Sequence, residues 1–130
     1  MSQSGRVLIV DDEATARCAL AELLGEEGYT VETAADGRDA VAKLSEFAAD
    51  VVVTDWKMPG MDGLGLVAKS IEQDPEREVI MMTAFGTLEA AAAATCAGVS
   101  GYLTKPIDFD RLLVVLASAI ERRRRRTEVE

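Results

Sequence analysis

Three nearly unbroken apolar runs, "RVLIV" at 6–10, "VVVT" at 51–54 and "EVIMM" at 78–82, most constrain what this chain can fold into. A strand with one face in water alternates apolar and polar side chains, whereas a strand covered on both faces has no need to. These three, with the weaker "SGYL" at 100–103, are therefore expected inside a sheet packed above and below. The run "TVETA" at 30–34 alternates and suits an edge.

Between the runs the apolar spacing lengthens to three and four residues. Ala16, Ala19, Leu20 and Leu23 form one helical stripe, which the glycines of "GEEGY" end. Ala40, Val41, Leu44, Phe47 and Ala48 form a second behind Asp36, a suitable N-terminal cap. Residues 64–73 and 87–97 supply two more helices. Leu112, Leu113, Leu116 and Ile120 mark the fifth, with Asp108 placed to cap it. Strand then helix, five times over, implies right-handed crossovers and a parallel sheet between two helical layers.

The 130 residues suit one domain. No apolar run approaches the ~18–20 residues of a membrane span, and the start "MSQSGRVLIV" has no cleavable signal pattern, so a cytoplasmic protein without a membrane partner is expected. Histidine is absent, and Cys18 and Cys96 have no CxxC spacing. That removes zinc sites and histidine-dependent nucleophiles, and leaves both cysteines as reduced, small hydrophobes. A formal charge of -9 argues against direct nucleic-acid binding by this domain. The charge is uneven, because "RRRRR" occupies 122–126. We divide the chain into a domain at 5–122 and an arginine-rich tail, or the start of a linker helix, at 123–130.

The strand ends carry the chemistry. The first run is followed by Asp11 and Asp12, the third by Asp55, the fourth by Thr83, and the fifth by Thr104, Lys105 and Pro106; the second ends in nothing reactive. In an open parallel sheet all carboxyl ends share one edge, where ligands bind. Three carboxylates, a hydroxyl and a lysine therefore converge. Carboxylates crowded together need a shared cation, and an all-oxygen set without His or Cys selects a hard ion, usually magnesium, with manganese as the alternative. Metal and lysine beside one carboxylate suit a phosphoryl group that Asp55 attacks in line. Each feature alone has a plainer structural explanation: Asp-Asp as a helix cap, "MPGMDG" as a turn, Lys-Pro as a pair before a helix. Their joint occurrence at four strand ends favours the site.

The motifs "VDDE", "DWKMPGMDG", "MTA" and "YLTKP" resemble, in order and spacing, the receiver domain of two-component response regulators, and the likeness runs from about Arg6 to Arg122. The resemblance implies a flavodoxin-like (βα)5 three-layer sandwich whose parallel five-stranded sheet has the order 2-1-3-4-5. It implies Asp55 as phosphoacceptor, Asp12 as a direct magnesium ligand, Asp11 as a partner acting largely through water, and the Lys57 carbonyl as a backbone ligand. It makes Lys105 and Thr83 the side-chain partners of the phosphoryl oxygens, the Trp56 and Ala84 amides further donors, and Thr83 and Tyr102 the switch pair. It also implies a cis Lys105–Pro106 peptide and an influence of Lys57 and Phe85 on dephosphorylation.

By the same resemblance the chain is a phosphorylation-activated switch and not a turnover enzyme. Its partner is a sensor histidine kinase or phosphotransfer protein, and the face built from helix four, strand five and helix five controls an output or a homodimer contact. The stretch "MTAFGTLEAAAAATCAGVSGYLTKPIDF" is most similar to receivers of nitrogen-regulator-type activators, where an ATPase and a DNA-binding domain follow; here they would lie beyond Glu130. Two other classes fit less well. Haloacid-dehalogenase-type phosphatases need an acid two residues after the nucleophile, where this chain has Lys57. A flavin or nucleotide module needs a glycine- and hydroxyl-rich loop where this chain has "DDEAT".

Overall fold

The computed structural model describes residues 5–56, 63–84 and 87–129. Five strands, β1 (Arg6–Val10), β2 (Thr30–Ala34), β3 (Val51–Asp55), β4 (Glu78–Thr83) and β5 (Gly101–Thr104), alternate with five helices. The helices are α1 (Ala14–Glu26), α2 (Gly37–Glu46), α3 (Gly63–Gln73), α4 (Leu88–Cys96) and α5 (Phe109–Val129). All four strand pairings are parallel and the order is β2-β1-β3-β4-β5, so the expected sheet is the observed one. The alternating strand, β2, lies at an edge.

Because strand side chains alternate between faces, the continuous apolar runs divide into two cores. Val7, Ile9, Val51, Val53, Ile80 and Met82 face Leu24 of α1 and Leu112 and Leu116 of α5. Leu8, Val10, Val52, Val79 and Met81 face Leu44 of α2 and Leu66 of α3. Both faces of β1, β3 and β4 are thus dry, which holds their carboxyl ends in fixed register: Val10 opposite Thr54, Asp55 opposite Met82, Thr83 opposite Thr104.

The helix starts follow local chemistry. Asp36 Oδ1 accepts from the Asp39 amide at 2.8 Å, Thr87 Oγ1 from the Ala90 amide at 3.1 Å, and Asp108 Oδ1 from the Asp110 amide at 3.0 Å. The end of α1 is set by Gly28, whose φ of 101° is a left-handed conformation that other residues rarely adopt.

Two expectations are corrected. The buried side of α1 is the ridge Ala16, Leu20, Leu24, spaced four apart; Ala19 and Leu23 sit one position round the helix and are exposed. Cys18 and Cys96 are free thiols on outward helix faces and do not pack in the core. Among the described residues no helix is long and apolar enough to cross a membrane.

The two-core arrangement makes α5 dependent on its inner face. Leu116→Ala should lower unfolding free energy by roughly 2–5 kcal/mol. Val114→Ala, at a position 67% exposed, should change it by less than about 0.5 kcal/mol. Urea unfolding of both variants measures the difference, and equal effects would contradict the assignment of the helix faces.

Candidate functional site

Asp11 follows β1 directly, and Asp55 is the last residue of β3, the neighbouring strand. Asp11 is held in place from three sides. Its amide donates to the Ala34 carbonyl at 3.2 Å, its Oδ1 accepts from the Glu13 amide at 2.9 Å, and its carbonyl accepts from Arg17 Nη1 at 2.7 Å. Asp12 is exposed beside it. One carboxylate oxygen from each of Asp11, Asp12 and Asp55 lies within 4.8 Å of the others.

Lys105 reaches this cluster from the far side of β4. Its backbone amide donates to the Thr83 carbonyl at 2.7 Å, and its Nζ donates to Asp55 Oδ2 at 2.9 Å and stands 3.8 Å from Asp11 Oδ2. The Lys105–Pro106 peptide is cis, as expected. Thr83, 1% exposed, ends β4 between the lysine and the acceptor. Four of the strand ends identified in the sequence are therefore brought together, and the end of β2 contributes only the Ala34 carbonyl.

The electrostatics are unbalanced in a definite direction. Burial pushes the Asp55 carboxyl above its ordinary range; the hydrogen bond and charge of Lys105 oppose this, while Asp11 and Asp12 reinforce it. Burial alone would lower the Lys105 ammonium, yet Asp55, Asp11 and Asp12 outweigh it and raise its pKa. Three carboxylates and one lysine leave two negative charges. Each carboxylate pair near 4 Å repels by roughly 4 kcal/mol at an effective dielectric of about 20. A divalent cation matches the deficit, and with one carboxylate oxygen from each residue inside 4.8 Å the three can converge on a single ion. With oxygen donors only, the set suits a hard ion.

Trp56 and Tyr102 form an edge-to-face pair, with ring centroids 6.4 Å apart and an interplanar angle of 82°. The expected switch aromatic thus touches the residue next to the acceptor. The expectation for the Trp56 amide is corrected: it donates to the Met82 carbonyl at 2.9 Å, extending the β3–β4 ladder, and so does not point into the site in this conformation. Ala84 is exposed at the rim. Lys57 and Phe85 lie outside the described residues.

Two positioning residues escaped the sequence reading. Arg17 supports Asp11 from one turn inside α1, a contact that no local pattern announces. Gly63 is the more restrictive: a Cβ there would lie 2.7 Å from the Asp55 carbonyl oxygen and 3.0 Å from Trp56 Cα. Its amide also donates to the Trp56 carbonyl at 2.6 Å, so α3 begins hard against the acceptor's backbone. The glycine in "MPGMDG" was the available signal, and it reads equally well as ordinary turn chemistry.

A family model described as the response regulator receiver domain matches residues 7–117. The chain is 42% identical over 118 residues to the transcriptional regulatory protein TcrA of Mycobacterium tuberculosis, covering 91% of this chain and 46% of that protein. It is 38% identical over 118 residues to the DNA-binding transcriptional regulator NtrC of Salmonella typhimurium, covering 91% of this chain and 25% of that one. This chain therefore spans less than half the length of either relative. A crystal structure of a response regulator receiver domain protein from Clostridium thermocellum superimposes with a TM-score of 0.87 at 31% identity, covering 92% of this chain and 97% of that one.

Two outcomes follow from the site's geometry. Asp55 has a folded-state pKa raised above its unfolded value, so its contribution to stability is present below the unfolded value and lost as pH rises through the folded one. In chelator at pH 7.5, Asp55→Asn should therefore melt at a higher temperature than the parent, with the gap closing as pH falls toward 4; a lower melting temperature at pH 7.5 would contradict the charge assignment. Gly63→Ala should destabilise by at least about 1 kcal/mol in urea and shift the backbone amide resonances of residues 55 and 56. Unchanged resonances would remove Gly63 from the positioning set.

Proposed function

The chain belongs to the response regulator receiver domain family, and on that premise we propose that it is a phosphorylation switch in which Asp55 accepts a phosphoryl group. Receiver domains are regulatory switches and not turnover enzymes on an external substrate. The observation that carries the reading is Lys105 Nζ, 2.9 Å from Asp55 and 3.8 Å from Asp11, within an all-oxygen cluster left two charges short.

An ionised Asp55 oxygen attacks the phosphorus of a phosphohistidine on a sensor kinase or phosphotransfer protein. The new O–P bond forms as the P–N bond breaks, and the electron pair leaves with the imidazole, which takes a proton from solvent. Asp11, Asp12, Asp55 and the Lys57 carbonyl would hold a magnesium or manganese ion, which would supply positive charge to the phosphoryl oxygens. Lys105 pairs with another of those oxygens, and the Thr83 hydroxyl and the Ala84 amide donate to the rest. A recess of about 430 Å³ between α1 and the segment after β5, lined by Asp11, Leu20, Met82, Lys105 and Ile107, opens beside the cluster and is of a size for a side chain of the donor protein.

Thr83 and Tyr102 then transmit the change. Drawing Thr83 toward the phosphoryl group alters the space behind β4 and β5, where Tyr102 rests on Trp56. The face formed by α4, β5 and α5 changes partners as a result, acting on a following output domain, as in the nitrogen-regulator relatives, or on a second copy. A ligand must favour one state by ~5.5 kcal/mol to move the populations from 1:99 to 99:1, and several charge-assisted hydrogen bonds to a phosphoryl group are of that size. This domain acts in the cytoplasm and does not itself bind nucleic acid.

The test uses acetyl phosphate and magnesium on the intact chain. Magnesium alone should raise the melting temperature, by the equivalent of ~2.7 kcal/mol at one hundred times its dissociation constant, and Asp12→Ala should remove most of the gain. Adding acetyl phosphate should then change Trp56 emission, with Asp55→Asn silent and Thr83→Ala phosphorylated but blunted in the emission change. Incorporation should stop near one phosphoryl group per chain. Equal labelling of Asp55→Asn would overturn the assignment, and release of phosphate so fast that no labelled chain accumulates would favour a hydrolase.

A further inference from the structure

The arginine run does not trail from the domain. α5 continues unbroken to Val129, and its last turns lie against the amino ends of β3 and β4, the edge opposite the carboxylate cluster. Arg122 Nε is 2.8 Å from Glu78 Oε1, and Arg126 Nη1, one turn on, is 2.8 Å from Glu78 Oε2. Arg123 Nε is 2.8 Å from Asp50 Oδ1 and its Nη2 is 2.9 Å from Asp74 Oδ2. Arg125 instead meets Glu121 on its own helix, at 3.3 Å.

Glu78 makes the contact obligatory. It is the first residue of β4 and 0% exposed, in a strand whose other positions are also buried. An ionised carboxylate removed from water without a partner is strongly disfavoured, so something must bring positive charge to it. Arg122 and Arg126 are four residues apart, hence on one side of α5; Arg122 hydrogen-bonds Oε1, and Arg126 pairs with Oε2 by charge, outside hydrogen-bond geometry. Asp74 gives a second, independent sign. Burial alone would raise its carboxyl, but the Arg123 hydrogen bond and charge, with the Glu76 amide and Arg77, hold it below the ordinary range. The long-range balance favours the same outcome, since removing five arginines from a formal charge of -9 leaves the rest of the chain at -14.

We propose that the arginine run is an ionic latch: Arg122, Arg123 and Arg126 clamp the end of α5 onto Glu78, Asp50 and Asp74, so that the helix leaves the domain as a rigid arm from the edge opposite Asp55. The run belongs to the fold and is not a free polycationic tail for nucleic acid or another acidic partner. The latch is independent of whether Asp55 is phosphorylated. It also carries the functional fold past residue 122, where apolar periodicity alone ends it.

Amide hydrogen exchange and heparin affinity on the intact chain test this together. In the parent at low salt, the amides of residues 122–126 should exchange at least tenfold more slowly than in Asp50→Asn/Asp74→Asn, while Val53 and Ile80 differ less than twofold between the two. The parent should pass through a heparin column at about physiological ionic strength. The double variant, its arginines released, should be retained. Glu78→Gln should behave like the double variant; if it does not fold, the double variant and the parent's own protection decide the matter. Parent amides at 122–126 exchanging as fast as the variant's, or retention of the parent on heparin equal to the variant's, would overturn the latch.

Discussion

Crowding of like charge at one edge of the sheet is the constraint on which this molecule is organised. Three carboxylate oxygens within 4.8 Å repel one another, and a flexible scaffold would relieve that by letting them drift apart. Here they are carried by adjacent parallel strands whose side chains are dry on both faces, so separation would require pulling Val10 or Val53 out of its core. Burial also removes the solvent that would screen the charges, which is why Asp55 resists ionisation despite its bond to Lys105. Such a cluster is prepared for positive charge, and for a phosphoryl group only in company with it.

The layered α/β fold and the members of the cluster were legible because both are written in local terms. Continuous apolar runs mark strands covered on two sides, and the residues that end such runs must meet along one edge of a parallel sheet. The order of the strands, the cis peptide and the particular role of each residue came from the family resemblance. What could not be read depends on which way a side chain turns once packed. Ala19 is as apolar as Ala16, and Leu23 as apolar as Leu20 and Leu24, so only the docked orientation of α1 decides between the two ridges. The Trp56 amide became a ladder donor because Met82 stands across from Asp55, a fact of register and not of motif. Gly63 resembles any turn glycine until the backbone of Asp55 is seen 2.7 Å from its missing Cβ.

The arginine run shows the same limit on a larger scale. As composition it is a solvated tail, the commonest meaning of a charge run. Its partners are Glu78, Asp50 and Asp74, which lie 44 to 73 residues away in the pairs Arg122–Glu78 and Arg123–Asp50 and come together only through the crossovers. One of them heads a strand otherwise built for the interior. β4 thus carries an arginine-clamped carboxylate at its amino end and Thr83 at its carboxyl end, six residues spanning the whole sheet between two polar sites.

The central claim is that Asp55 itself forms an acyl phosphate, and reductive trapping tests it most directly. The intact chain is incubated with magnesium and acetyl phosphate, treated with borohydride to convert an acyl phosphate to the corresponding alcohol, and sequenced by mass spectrometry. The account predicts homoserine at position 55, dependent on both magnesium and the phosphodonor, with Asp11 and Asp12 unchanged. Homoserine at position 11 or 12, or an unmodified Asp55 in a sample that demonstrably carries phosphate, would contradict it.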